Sequence, residues 1–171
     1  SGRWLMPLRL SRSDAVTLWN ATNHSYWNLD GTDDFSGHRL QLAADHYLPA
    51  TAEFIPTGEI CEVAGLFDFR RERAVSPGKP DLDNCFCLSR AATDLRDVMI
   101  LRGQSGMKMT LATTEAGLQL YDCRHDGHRG MAVEAQGWPD APNQPGFPYI
   151  ALAADTVRAQ ITEWRFSRPA M

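Results

Sequence analysis

The segment Lys108-Met-Thr-Leu-Ala-Thr113, followed after three residues by Gly117-Leu-Gln-Leu-Tyr121, is the clearest indication of the fold class. Both stretches are short, largely apolar and bounded by polar or small residues, as β-strands are. The residues just before them, Gly103-Gln-Ser-Gly106, have the composition of a hairpin turn. We therefore interpret these stretches as successive strands of a β domain.

The same β pattern extends over the rest of the chain. We predict strands at residues 39–43, 60–64, 85–88, 91–101, 108–113, 117–121, 131–135 and 157–166. The last one alternates clearly, with Val157, Ala159, Ile161 and Glu163 on one face. Helical periodicity is weak everywhere, so at most a single helical turn is expected near residues 11–16 or 95–98. Short strands separated by Gly and Pro predict an all-β sandwich or barrel.

Two stretches read as loops because they are rich in turn-forming residues. Residues 72–81 contain Pro77, Gly78 and Pro80 and predict a flexible loop. Residues 138–148 are rich in Pro, Asn and Gly and predict an ordered loop of functional type.

Composition places the chain among ordinary globular proteins. It has 171 residues, 43% of them hydrophobic and 22% charged, which suits one domain over residues 1–171. The net charge is −4 without a basic stripe, so no nucleic-acid partner is expected. No apolar run approaches the roughly 18 residues of a membrane helix, so no membrane partner is expected.

The cysteines and histidines show no metal-binding spacing. The four cysteines, at positions 61, 85, 87 and 123, form no Cys-x-x-Cys pair, which argues against structural zinc and fits a reducing cytoplasm. His125 and His128 form a His-x-x-His pair, but no third ligand is in view. We predict no metal site and no cofactor.

Residues 20–31, Asn-Ala-Thr-Asn-His-Ser-Tyr-Trp-Asn-Leu-Asp-Gly, place His24 among hydrogen-bonding and aromatic side chains. Asn23 offers an amide, and Tyr26 offers a flat apolar face. This combination suits a sugar, whose hydroxyls need donors and acceptors and whose C–H faces stack on rings. His24 is a candidate proton donor or acceptor near neutral pH. The alternative is a structural histidine between a strand and a loop.

Residues 20–31 resemble the segment N-x-T-N-H-x-Y-[FW]-N-L-x-G of the aldose 1-epimerases, also called galactose mutarotases. Five later blocks resemble that family in the same order: residues 38–42 with 44–49, 55–59 with 67–70, 83–88, 113–121, and 133–136 with 138–145 and 147–148. The resemblance implies part of a large antiparallel β-sandwich of the galactose mutarotase-like type. It covers the C-terminal half of the family, so the sandwich is expected to be incomplete.

The resemblance also implies roles for individual residues. Glu134 matches the family's catalytic base and His24 its acid. Asp83 matches a substrate-binding aspartate, and Gln119 matches a glutamine of the pocket. Asn23 and Tyr26 flank His24 and are expected to shape the site and contact substrate.

From the pattern alone, these side chains have simpler interpretations. Glu134 lies in an otherwise apolar strand and is either an outward-facing glutamate or a buried glutamate with a functional role. Asp83 could be an ordinary loop carboxylate before a strand. Gln119 could be an outward-facing strand residue, and Tyr26 could be part of the core or of a pocket wall.

The function implied by the resemblance is mutarotation, the interconversion of the α and β anomers of free aldoses such as galactose or glucose. Ring opening needs a base near the C1 hydroxyl and an acid near the ring oxygen, and neither a metal nor a nucleotide. The alternative is a carbohydrate-binding or regulatory module without turnover.

The extent of the resemblance leads to two further expectations. The family's other half supplies a second active-site histidine and a substrate-binding arginine that have no counterpart in this sequence, so activity is expected to be reduced or lost. Half of a sandwich exposes strand edges and apolar surface. We therefore expect a homo-oligomer or association with a complementary chain.

Overall fold

The computed structural model describes residues 2–123, 127 and 129–168, with side chains from residue 10 onward. These residues form fourteen strands: β1 (Gly2–Arg12), β2 (Thr17–Leu18), β3 (Tyr26–Trp27), β4 (His38–Leu42), β5 (His46–Leu48), β6 (Cys61–Glu62), β7 (Arg73–Val75), β8 (Asp83–Cys87), β9 (Arg96–Arg102), β10 (Lys108–Thr113), β11 (Gly117–Tyr121), β12 (Met131–Gln136), β13 (Ala151–Leu152) and β14 (Val157–Ser167). Two 3₁₀ turns, Gly65–Phe67 and Ala141–Asn143, are the only helices in this part of the chain.

The strands form two six-stranded antiparallel sheets and one small pair. The first sheet has the order β1-β14-β10-β9-β4-β7, and the second has the order β3-β12-β11-β8-β5-β6. Strands β13 and β2 pair separately. The predicted all-β sandwich is therefore confirmed. Neither 3₁₀ turn has the length or the apolar character of a membrane-spanning helix.

The core lies between the two large sheets. The first sheet contributes Leu101 and Leu111, and the second contributes Phe86, Leu118 and Leu120, all of them fully buried. Because side chains alternate along a strand, burial of Leu118 and Leu120 directs Gln119 and Tyr121 to the opposite, outer face of the second sheet. A smaller apolar cluster on that outer face packs beneath residues 138–150.

Most predicted strands are confirmed within one or two residues. The bounds at 108–113 and 117–121 coincide with β10 and β11, and Gly103 closes the predicted hairpin turn by donating its N–H to the carbonyl of Met107. Of the strand predicted at 60–64, the structure contains only the two residues of β6. The prediction at 91–101 shifts to β9, which pairs with β10 and β4.

Three local predictions are wrong. Residues 96–98 belong to β9 and form no helical turn, because β10 pairs with Arg96 and Asp97 and the N–H of Ala43 donates to the carbonyl of Val98. Residues 11–16 form no helical turn, and β1 instead runs to Arg12 along β14. The predicted loop at 72–81 contains β7, which pairs with β4, followed by a turn between Ser76 and Lys79. His125 and His128 lie outside the described residues.

Buried His38 joins two parts of the fold. Its Nε2 accepts a hydrogen bond from the N–H of Leu29 at 2.9 Å, and its Nδ1 lies 3.6 Å from Oδ2 of Asp30. Asp30 in turn accepts the N–H groups of Gln104 and Ser105. Since Nε2 is an acceptor, the neutral ring carries its proton on Nδ1. Burial lowers the pKa of His38, and the charge of Asp30 opposes that shift in part.

Replacing His38 should therefore alter the pH dependence of stability. A histidine whose pKa is lowered on folding stabilises the fold above its unfolded pKa of about 6.5. This stabilisation is lost as the pH falls through the folded value. His38→Leu also leaves the Leu29 N–H without its acceptor, which costs about 1–3 kcal/mol near pH 7.5. Urea unfolding at pH 5 and pH 7.5 should show a larger difference between wild type and variant at the higher pH.

The matched control is His46→Leu on β5, which leaves the His38 network in place. It should show no such pH-dependent difference from wild type. An equal loss of stability at both pH values in His38→Leu would contradict the assignment.

Candidate functional site

The outer face of the second sheet brings together side chains that are far apart in sequence. In the pairing of β11 with β12, Gln119 lies opposite Glu134, and in the pairing of β11 with β8, Tyr121 lies opposite Asp83. Residues at paired positions point to the same side of a sheet. Asp83, Gln119 and Glu134 therefore share the face that points away from the core.

An open cavity of about 740 Å³ lies on this face. Four of the six predicted site residues line it: His24, Asp83, Gln119 and Glu134. The cavity walls combine carboxylates and amides with apolar surface, as in pockets that bind small polar molecules.

Asp83 and Gln119 are joined directly. Nε2 of Gln119 donates a hydrogen bond to Oδ1 of Asp83 at 2.7 Å. This bond fixes the orientation of both side chains at the floor of the cavity. A carboxylate held in this way is suited to accept hydrogen bonds from the hydroxyls of a ligand.

Glu134 and His24 form the second pair. Nε2 of His24 lies 3.4 Å from Oε1 of Glu134, while their side chains are 50% and 9% exposed, respectively. Burial raises the pKa of Glu134, the charge of His24 opposes that shift, and the charge of Asp83 adds to it. Glu134 is consequently a stronger base than an exposed glutamate, and it faces a solvent-accessible histidine.

Asn23 and Tyr26 do not line the cavity and instead shape the segment that carries His24. The ring centroid of Tyr26 lies 5.1 Å from that of His24, with the ring planes inclined by 48°. Oδ1 of Asn23 accepts the N–H of Ser25 at 3.1 Å, which closes a tight turn around His24. Their predicted contacts with substrate stay predictions.

Several cavity residues are missing from the sequence interpretation. Tyr121 and Gln136 could have been found, because they share the strand parity of Gln119 and Glu134. Phe54 could not, because it reaches the cavity on a loop closed by a bridge between residues 50 and 56. Phe54 is 62% exposed, and its backbone is left-handed with φ 62°.

The arrangement supports acid and base chemistry on a polar ligand. A glutamate of raised pKa and an accessible histidine lie beside a carboxylate–amide pair that can hold hydroxyl groups. Across the residues with described side chains, no group of three His, Cys, Asp or Glu side chains is arranged to hold a metal ion.

Comparison with known proteins identifies sequence relatives. Residues 9–165 match the sequence model of the family described as aldose 1-epimerase. Rat galactose mutarotase is 34% identical, with 92% of this chain and 52% of the rat protein covered. The aldose 1-epimerase of Escherichia coli K12 is 30% identical, with 86% of this chain and 50% of the bacterial protein covered. The chain thus spans about half the length of the curated relatives it matches.

Solved structures show the same fold. A homologue of aldose epimerase from C. elegans superimposes with a TM-score of 0.84 at 26% identity, covering 94% of this chain and 55% of the other. Galactose 1-epimerase from Lactobacillus acidophilus gives a TM-score of 0.79 at 25% identity, covering 95% and 53%. The two sheets are therefore those of a galactose mutarotase-like sandwich.

The electrostatic interpretation of Glu134 can be tested without any substrate. Asp83→Asn removes a nearby like charge and should lower the pKa of Glu134. His24→Asn removes a nearby positive charge and should raise it. The measurement is a ¹³C NMR titration of the Glu134 carboxyl group. As a control, Glu62→Gln on the exposed edge strand β6 should leave the titration unchanged. A shift of the Glu134 pKa in the same direction in Asp83→Asn and in His24→Asn would contradict this interpretation.

Proposed function

The chain belongs to the aldose 1-epimerase family, and from this premise we propose that it interconverts the α and β anomers of free aldoses such as galactose or glucose. Membership rests on the family match over residues 9–165 and confirms the resemblance found in the sequence. The observation that carries the proposal is the 3.4 Å approach of His24 to Glu134 at a cavity that Asp83 and Gln119 also line.

In the proposed mechanism, Glu134 acts as the base and His24 as the acid. The Glu134 carboxylate removes the proton of the C1 hydroxyl, and C1–O1 becomes a carbonyl as the bond from C1 to the ring oxygen breaks. Protonated His24 donates its proton to the departing ring oxygen. Rotation about C1–C2 presents the other face of the carbonyl, and the reverse steps close the ring as the other anomer.

The two groups exchange roles between ring opening and ring closure. Ring opening leaves Glu134 protonated and His24 neutral, which is the arrangement that ring closure needs. In closure Glu134 returns its proton to the carbonyl oxygen and His24 removes the proton of the ring hydroxyl, so the starting state is restored. In this mechanism no group outside the pair has to supply or remove a proton.

Asp83 and Gln119 are proposed to hold the sugar. The hydrogen bond from Gln119 orients the Asp83 carboxylate toward the cavity, where it accepts bonds from sugar hydroxyls. Holding the hydroxyls in this way places C1 and the ring oxygen against Glu134 and His24. Such positioning lowers the barrier because it removes the need to find the reactive orientation.

One observation favours the alternative, a module that binds sugar without turnover. The His24 side chain is 50% exposed, so water competes for its proton and weakens its role as an acid. Activity below that of full-length family members is therefore part of the proposal.

Substitution of each member of the pair should slow mutarotation. We expect Glu134→Gln and His24→Asn each to lower the rate by about a hundredfold or more, since each removes one proton-transfer group. In the wild type the rate should fall as the pH drops through the raised pKa of Glu134, because only its ionised form is a base. Polarimetry of freshly dissolved α-D-galactose and α-D-glucose provides the measurement.

The control is Glu62→Gln, which removes a carboxylate from the same sheet outside the cavity and should retain wild-type rates. An active wild type that neither cavity substitution slows would contradict the assigned roles. An inert wild type that still binds galactose would favour the module without turnover.

We also propose that the chain associates with itself or with another protein. Strand β1 is the end strand of the first sheet and pairs with β14 alone among the described strands, so its other edge has no strand partner there. Leu10 and Val157 add apolar surface, at 61% and 59% exposure. An open strand edge beside apolar surface favours pairing with a further strand.

Sedimentation velocity at increasing concentration should therefore show a species larger than 19.1 kDa. The double substitution Leu10→Lys and Val157→Lys should weaken that species, because it places charge on the apolar surface. A matched double substitution of exposed Ala15 and Thr17 to Lys controls for added charge. A single monomeric species at all concentrations would contradict the proposal.

Two broader features are also proposed here. We propose that residues 1–171 form one β domain, supported by the continuous core between the two sheets. We also propose a cytoplasmic location, supported by four cysteines that all remain as free thiols.

A further inference from the structure

Gln160 connects the two segments that carry the acid and the base. It lies on β14 in the first sheet and is 5% exposed. Its Nε2 donates hydrogen bonds to the carbonyl of Ala21 at 2.9 Å and to the carbonyl of Ala135 at 3.0 Å. Ala135 follows Glu134 directly, and Ala21 precedes His24 by three residues.

One amide nitrogen therefore sets the spacing of two backbones. A side-chain amide has two N–H donors, and both are used here on carbonyls of different segments. The two carbonyl oxygens each lie about 3 Å from the same atom, so a shift of either segment breaks a hydrogen bond of the buried Gln160 amide. Such a loss leaves a buried N–H donor unpaired, which is unfavourable.

Asn20 makes a second connection between the same segments. Its Nδ2 donates to the carbonyl of Gly137 at 3.1 Å, and its Oδ1 accepts the N–H of Gly137 at 2.8 Å. This amide thus pairs with one peptide group just beyond the end of β12, as a neighbouring strand would. The hydrogen bonds of Asn20 and Gln160 together hold residues 20–21 beside residues 135–137.

The other side of His24 is attached to the same strand. Two residues after His24, β3 pairs with β12 through Tyr26 opposite Ala132. The segment that carries His24 is therefore fixed to β12 at both ends, and Glu134 lies between the two attachments. The distance from His24 to Glu134 depends on both of them.

We propose that Gln160 is a positioning residue for the acid–base pair, because its amide joins the backbone beside Glu134 to the segment that carries His24. The catalytic consequence of this inference rests on the proposed function. The role of Gln160 in setting the distance between His24 and Glu134 rests on the geometry alone. Gln160 does not line the cavity, so it acts through the two backbones and not on the sugar.

The position of Gln160 on the core-facing side of β14 supports a positioning role for its amide. Gln160, Thr162 and Trp164 alternate on that side and are all buried. An apolar side chain at position 160 would avoid the desolvation of an amide, which is offset here by the two hydrogen bonds. Thr162, two residues further along the same side of β14, bonds to Thr113 within the first sheet and not to the segments that carry His24 and Glu134.

The test compares Gln160→Met with Thr162→Val. Methionine keeps the length of the side chain and removes both donors, whereas Thr162→Val removes a buried hydrogen bond from the same strand without touching the site. We expect kcat for mutarotation to fall about tenfold or more in Gln160→Met with little change in KM, because the pair is displaced while Asp83 and Gln119 stay in place. Thr162→Val should leave kcat and KM unchanged.

A second readout does not require activity. The charged or titratable groups around Glu134 are His24, Asp83 and Cys85. If Gln160→Met lets His24 move away, the ¹³C titration of Glu134 should shift to higher pH, and in Thr162→Val it should not. If the wild type proves inactive, the proposed function fails, but the same titration shift in Gln160→Met would still support the positioning role.

Two results would overturn the inference. One is a Glu134 titration in Gln160→Met that coincides with the wild type, whatever the activity. The other is a loss in Gln160→Met that Thr162→Val reproduces in every readout. If Gln160→Met does not fold, Gln160→Asn replaces it, because the shorter side chain keeps a polar amide but cannot reach both carbonyls. The same upward shift of the Glu134 titration is expected, and its absence overturns the inference.

Discussion

The pairing of β11 with β12, in which Gln119 lies opposite Glu134, is the constraint on which the rest of the site depends. Leu118, Leu120 and Val133 fill the core from this pair, and their burial decides which side chains face outward. A slip of one residue would send Glu134 into the core and expose a leucine, at a large loss of hydrophobic free energy. The strand register that buries the core leucines therefore also places Gln119 and Glu134 at the cavity.

The polar features of the cavity follow from this register and from the loops above it. Glu134 points away from the core and is nevertheless nearly buried, because the segment carrying His24 lies over it. Burial makes its carboxylate more basic, and the nearby histidine limits that effect. The same segment continues to Asp30, whose contacts with the turn at residues 103–106 reach back to the first sheet. The acid is thus anchored to both sheets.

The sequence predicted much of this because period-2 alternation is a local property. It located β10 and β11 to the residue, and β4, β8, β12 and β14 within one or two residues. It missed β1, whose partner β14 is distant in the chain, and β7, whose Pro-rich and Gly-rich surroundings resemble a loop. Alternation in β14 does not show which of its two faces is buried. In the structure the buried face carries the polar residues Gln160 and Thr162.

The candidate site was predictable in part for a different reason. His24, Asp83, Gln119 and Glu134 came from the family resemblance, because alternation alone allows Glu134 to be an ordinary outward glutamate. Their convergence depends on strand pairing across 110 residues of sequence, which no local pattern encodes. Phe54 and the bridging role of Gln160 depend on loop closure and on contacts between sheets.

A crystal structure of the protein with D-galactose bound would test the assigned roles of Glu134 and His24 directly. We expect one sugar in the cavity, with its C1 hydroxyl within hydrogen-bonding distance of the Glu134 carboxylate. The ring oxygen should face Nε2 of His24, and Asp83 should accept bonds from other hydroxyls. A sugar bound on another surface, or bound in the cavity with C1 directed away from both Glu134 and His24, would show that these two residues do not act as base and acid.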